Sequence, residues 1–168
     1  MTIFKTLVII GLGLVLGGMS GCGEESPVEI FAAAEIAAAE SSTQELAIEK
    51  FTAFLERYPQ HELAPKALKQ LAMIAQQKGD MRGAISHYNR LLENYPASDQ
   101  ADEAQFMIAF IYEEYLHDLE QARLAYQRVI DEYPNSELAA SARRLLPNVG
   151  RDPEEWVEFQ DGNASAQK

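Results

Sequence analysis

Apolar residues in this chain follow helical spacing, and the helical stripes themselves recur. Leu68, Leu71, Ala72 and Ala75 fall at i, i+3, i+4 and i+7, one face of a helix. Ala104, Ile108, Ile111 and Tyr112 form a similar stripe further on. A second kind of stripe runs Ala47, Phe51, Phe54, Leu55. It returns as Ala84, Tyr88, Leu91, Leu92, and again as Ala122, Tyr126, Val129, Ile130. Each copy ends in Tyr-Pro, at Tyr58-Pro59, Tyr95-Pro96 and Tyr133-Pro134, with spacings of 37 and 38 residues. Alanines follow at fixed offsets: Ala64 and Ala67, Ala101 and Ala104, Ala139 and Ala142. Proline pushes the residue before it out of the α region, so each Tyr-Pro ends a helix. Gly79-Asp80 breaks the first helix of a unit from the second. Leu116-His117-Asp118 takes that place one copy later, one residue longer. The unit is helix, turn, helix, stop.

A period of this length predicts a solenoid. One helix pair cannot cover its own apolar face, and stacking the pairs completes the core. Ala72 against Ala84, and Ala109 against Ala122, are expected where the two helices of a pair cross closely, with Tyr88 and Tyr126 filling the gap to the next helix. Residues 28–41 are an alanine-rich helix former. They pair with a helix over 43–57 through a shortened turn that lacks glycine. Residues 136–146 start like a further repeat and stop at Pro147, and the neighbouring Arg143 and Arg144 suit a solvated cap. The predicted fold is therefore all-α: an α-solenoid of about three helix pairs plus a C-terminal capping helix, over residues 28–146.

The ends differ in kind. Residues 1–21 carry one lysine, then the apolar run LVIIGLGLVL, then small residues leading to Cys22. A basic start, a short apolar run and a small-residue exit make a secretory signal. The run is short for a membrane span, which needs about 20 apolar residues. An uncleaved signal anchor and a secreted protein with a free thiol are the other readings of this segment. Residues 22–27 read as a polar tether. Residues 147–168 lose the period and are predicted to be a partly disordered tail. Within it, Asp152-Pro153 could start a short helix, aspartate as N-cap and proline at the first helical position. Trp156 and Phe159 either pack back on the last helix pair or present a peptide motif to a partner.

Composition narrows the function. The chain has 168 residues, 47% of them hydrophobic, and a formal net charge of −12. Loss of residues 1–21 removes one lysine and no acid, leaving about −13. Such a surface suits neither nucleic acid nor anionic lipid, and favours basic partners. One cysteine permits no intrachain disulfide and no thiolate metal centre, and His61, His87 and His117 share no ligand spacing. No phosphate loop, nucleophile elbow or HExxH occurs. The expectation is a non-enzyme with no metal and no cofactor. Glu113-Glu114 and Glu154-Glu155 read as solvated helix faces.

Met19-Ser20-Gly21-Cys22 resembles a bacterial lipobox, with methionine where leucine is usual. The resemblance implies cleavage before Cys22 and lipidation of its thiol with diacylglycerol and fatty acyl (palmitate) chains. Gly23, not aspartate, follows the cysteine, which points to the outer membrane. The 37-residue units resemble the tetratricopeptide repeat family in a slightly long periplasmic variant. Leu71, Ala72, Ala84, Tyr88 and Pro96, then Ile108, Ala109, Ala122, Tyr126 and Pro134, fill the signature positions. Leu68 and Gln105 occupy the position where that family has tryptophan. In that family the first helices line a partner-binding groove. Carried over by position, this implies Lys66, Lys69, Met73, Gln76 and Gln77 in one repeat and Glu103, Phe106, Phe110, Glu113 and Glu114 in the next. Phe106 and Phe110, four apart, are either an apolar anchor in the groove or part of the core. The whole is similar to the outer-membrane protein assembly lipoproteins (BamD-like), although with about three repeats rather than five. That implies a lipid-anchored periplasmic scaffold with protein partners from the outer-membrane assembly machinery. The Tol–Pal coordinator, a cell-wall coordination adaptor and an accessory subunit of a cell-wall enzyme are the alternatives.

Overall fold

The computed structural model describes residues 25–151. The signal segment, Cys22 and residues 152–168 lie outside them. Seven α-helices follow in order: α1 Pro27–Ala38, α2 Gln44–Arg57, α3 Ala64–Gln77, α4 Met81–Asn94, α5 Ala101–Phe110, α6 Leu119–Glu132 and α7 Glu137–Leu145. There is no strand among the described residues, and no helix is long and apolar enough to cross a membrane. Each helix packs on the next, so the helices stand in a row as an α-solenoid. α1 also touches α3, and α5 touches α7, while α2, α4 and α6 make no comparable contacts with one another. The odd-numbered helices therefore lie on the inner curve and the even-numbered ones fan apart outside.

Local chemistry sets the helix starts. Ser26 and Glu29 form a capping box: the Glu29 N–H donates to Ser26 Oγ (3.3 Å) and the Ser26 N–H to Glu29 Oε2 (2.8 Å). Pro27 takes the first helical position. The helix thus begins within the segment expected to be tether. Between α1 and α2 a 3₁₀ turn, Ser41–Thr43, stands in for a glycine, and the Thr43 hydroxyl donates to the Ala37 carbonyl (2.7 Å). Asp80 caps α4 by accepting from the Gly83 N–H (2.9 Å), and Asp118 caps α6 by accepting from the Gln121 N–H (3.1 Å).

The pairs close as the alanine pattern predicts. Ala72, Ala84, Ala109 and Ala122 are fully buried. Phe31 packs edge-on against Phe51 and Phe54, with ring centroids 5.4 and 5.5 Å apart. Phe31, Leu68 and Gln105 occupy equivalent positions and all are buried. Gln105 is the single buried polar side chain among the described residues, and its amide donates to the Ala125 carbonyl (3.2 Å). Successive Tyr-Pro steps are linked: the Tyr95 hydroxyl donates to the Pro59 carbonyl (2.6 Å).

The extra residue in the α5–α6 turn is absorbed by a π turn, Ile111–Tyr115. The Leu116 N–H donates to the Ile111 carbonyl, five residues back (3.1 Å), and the Asp118 N–H to Tyr112, six back (2.9 Å). In the shorter hairpin the Asp80 N–H reaches Ala75, five back (2.8 Å). His117 (φ 52°) holds the left-handed position that Gly79 (φ 79°) holds one repeat earlier.

The packed array runs past the expected boundary at 146. Ser136 caps α7, and the chain passes through Pro147 in a 3₁₀ turn, Leu146–Asn148. Val149 is buried, its carbonyl accepting from Arg123 Nη2 (2.9 Å). The Gly150 N–H donates to Glu113 Oε1 (3.2 Å). Gly150 (φ 83°) lies so close to Leu119 that a Cβ there would stand 2.5 Å from its Cδ1.

Candidate functional site: the inner groove

The inner curve opens between α3 and α5, which touch less than α1 and α3 or α5 and α7 do. A shallow pocket of about 270 Å³ lies there, lined by Met73, Gln76, Gln77, Tyr88, Glu103 and Met107. Two thioethers supply adaptable apolar surface, and two amides and a carboxylate supply hydrogen-bonding edges. Met73 is 38% exposed. Tyr88 is 1% exposed, so its ring is floor rather than wall.

Four of the residues expected in the groove, Met73, Gln76, Gln77 and Glu103, meet in this pocket. Lys66 and Lys69 do not line this pocket, and each is paired. Lys66 bonds Glu35 of α1 (2.8 Å) and stands 5.2 Å above the centre of the Phe31 ring. Lys69 pairs with Glu103, tying α3 to α5. Both pairs cross from one repeat to the next, so these lysines help to set the groove's width. Gln77 accepts from the Gln44 amide (2.6 Å).

Phe106, Phe110, Glu113 and Glu114 do not line this pocket. Phe106 is half-buried with its ring edge-on to Tyr126 (5.4 Å), and Phe110 lies against Tyr115 (6.0 Å). Glu113 accepts from the Tyr126 hydroxyl (3.0 Å) as well as from Gly150. Glu114 is exposed. Met107 and the floor tyrosine are the members that position-by-position reading missed. Met107 is one residue beyond the expected Phe106, a shift of about 100° around the helix.

Gln76 and Glu113 hold equivalent places, and each meets the hydroxyl of the buried tyrosine in its own pair. The Gln76 amide donates to Tyr88 Oη (2.9 Å), while Tyr126 Oη donates to Glu113. Burial pushes the Tyr88 phenol up to about 12, Glu103 adding to the shift and the Gln76 bond opposing it. Burial also raises Tyr126, with the Glu113 charge reinforcing it. Both phenols stay neutral donors or acceptors near pH 7. No group of three or more His, Cys, Asp or Glu side chains that could hold a metal ion occurs among the described residues. The groove offers apolar thioether surface at its centre and amide and carboxylate groups at its edge.

Comparison with known proteins bears on the family of the chain. Residues 23–150 match the sequence model of the family described as YfiO, outer membrane lipoprotein. The chain is also 25% identical, over 162 residues, to the outer membrane protein assembly factor BamD of Caulobacter vibrioides. That alignment takes in 86% of this chain and 53% of the relative, so the chain spans about half of the relative's length. The repeat architecture and the match over nearly the whole packed array lead to one assignment: the chain belongs to the YfiO family of outer membrane lipoproteins.

Proposed function

We propose that this protein is a lipid-anchored scaffold on the periplasmic side of the outer membrane, holding a protein partner in the groove between α3 and α5 during outer-membrane protein assembly. The observation that carries the reading is the groove itself: Met73 and Met107 beside the polar side chains of Gln76, Gln77 and Glu103, on the inner curve of a helical array. The assembly role rests on family membership and on the relative's description as an assembly factor. That membership favours assembly over the Tol–Pal and cell-wall alternatives. The role is non-catalytic. Lipid on Cys22 supplies the anchor, since several acyl chains together give stable membrane attachment.

The test is a crosslinking pull-down from native membranes with the mature lipidated protein, analysed by mass spectrometry beside a Cys22→Ser variant. Recovery of β-barrel assembly proteins by the lipidated form, and their loss from Cys22→Ser, supports the reading. Recovery of peptidoglycan or Tol–Pal proteins moves the role to envelope coordination. An unchanged partner set in Cys22→Ser removes the anchor from the account.

A further inference from the structure

The first helix of the array carries an apolar face that no other helix covers. α3 and α5 each have a helix packed ahead of them, α2 and α4, whereas none precedes α1 among the described residues. Pro65 at the head of α3 is buried, while Val28, 37 residues earlier, is 57% exposed. Ile36 is 75% exposed, and Ala32 and Ala39 are exposed with it. Positions 28, 32, 36 and 39 fall at i, i+4, i+8 and i+11, one stripe along the helix. Glu29 borders the stripe on one side and Glu35 on the other. A surface helix turns its polar face to water, and α1 turns apolar side chains there.

The anchor lies close to this stripe. The proposed function puts acyl chains on Cys22, and the inference rests on that reading. The capping box fixes the chain from Ser26 onward, so the distance from Cys22 to the helix is spanned by four residues, at most about 14 Å. A helix with its side chains is about 10–12 Å across. α1 is therefore held within roughly one helix diameter of the bilayer surface. Tethering at such range gives a high effective concentration, so a contact too weak to bind a membrane by itself is populated. No lysine or arginine occurs between Cys22 and Lys50. Apolar area, not charge, is what this face offers to lipid.

We propose that α1 lies along a zwitterionic bilayer surface, with Val28, Ala32, Ile36 and Ala39 in the boundary between headgroups and acyl chains and the bordering carboxylates of Glu29 and Glu35 on its aqueous side. Val28 and Ile36 are about 12 Å apart along the helix axis, so both reach the boundary only when the axis runs nearly parallel to the membrane. A lipid alone is a swivel, whereas a lipid and a helix face together set the direction in which the array leaves the bilayer. Anionic lipid weakens the contact by repelling the two carboxylates. The competing occupant is a protein at the end of the inner groove, since Ile36 stands 37 residues before Met73, which lines it.

The experiment is site-directed spin labelling of the lipidated mature protein in phosphatidylcholine vesicles. The lipid occupies the Cys22 thiol, so the nitroxide goes to one new cysteine: Val28→Cys, Ile36→Cys or, as an exposed apolar control on α6, Leu124→Cys. Electron paramagnetic resonance reads collisions of the label with dissolved oxygen and with a neutral, water-soluble nickel chelate. At Val28→Cys and Ile36→Cys nickel access is expected to be lost and oxygen access to rise, while Leu124→Cys stays open to nickel. Adding phosphatidylglycerol to the vesicles is expected to return part of the nickel access at both stripe positions. Nickel access at the stripe equal to that at Leu124→Cys, in protein that floats with the vesicles, overturns the proposal and leaves the anchor standing. Failure to float removes the anchor, and the proposal with it. Shielding of Ile36→Cys that occurs in native membranes but not in pure lipid also overturns it, since the occupant is then a protein. So does shielding that depends on the protein-to-lipid ratio, which makes the occupant a second copy.

Discussion

The α3–α4 and α5–α6 hairpins are two copies of one unit, and they differ where the second departs from the repeat. Leu68 in the first becomes Gln105 in the second, equally buried. Gln76 on the tyrosine hydroxyl becomes Glu113. Gly79 at the left-handed turn becomes His117, with a π turn ahead of it. The first copy uses the residue that each position favours. The second accommodates a buried amide, a carboxylate and a strained backbone, yet keeps the same aspartate cap and the same buried tyrosine. The register of the second helix is therefore preserved, while the path taken to reach it is allowed to vary. In the second copy Glu113 also gathers bonds from both α6 and residue 150.

The largest expected difference lies at the shared core position. Leu68→Gln strands an amide in apolar surroundings and loses side-chain packing, a destabilisation of about 3 kcal/mol. Gln105→Leu removes a buried amide that has a helix carbonyl for its partner, and should be neutral or stabilise by about 1 kcal/mol. Urea unfolding of both variants checks this, and equal losses would mean that the two hairpins are equivalent there.

Next come the tyrosine hydroxyls. Tyr126→Phe takes a donor from a carboxylate and should destabilise by about 1.5–3 kcal/mol, against about 0.5–1.5 kcal/mol for Tyr88→Phe. Thermal unfolding at pH 7 compares them, and a larger loss for Tyr88→Phe would break the comparison. At the turns, Gly79→Ala should destabilise by about 1 kcal/mol because its φ is left-handed. His117→Gly should be close to neutral or slightly stabilising, as strain relief offsets a freer unfolded chain.

The smallest effect is one of pH. Burial, and then the nearby Arg90 charge, hold the His87 imidazole below its usual value, with Asp80 opposing. The folded protein then binds fewer protons at this site than the unfolded chain. Stability is lost as pH falls from about 6.5 and protons bind preferentially to the unfolded state. His87→Gln should lower the slope of stability against pH between 6.5 and 5 and leave it unchanged above 7.5. A slope that survives the substitution assigns it to other groups.

Much of this was legible from spacing. The repeated Tyr-Pro steps and the buried alanines located the helix pairs, because close crossing and chain termination admit few residue types. Ser26-x-x-Glu29 also carried a readable signal, a capping box, and moves the helix start into the expected tether. The π turn was not readable: one extra residue between Ala101 and Asp118 says that something must yield, not where. Nor was the packing of Val149, an isolated apolar residue in a segment without period. Of the groove, the helix was legible and the register was not. Met107 lies in the pocket, whereas Phe106 packs on Tyr126 and Glu113 is engaged by Tyr126 and Gly150. Equivalent position fixes the face of a helix, but a ring's final direction depends on its neighbours.

The most direct test of the scaffold reading is site-specific photocrosslinking in native membranes, with the reactive group at Met73 of the inner groove and, as a control, at the exposed Leu124 on α6. The account predicts that Met73 captures an outer-membrane assembly protein and that Leu124 does not. Capture of that partner at Leu124 with none at Met73 would contradict it and place the binding surface outside the groove.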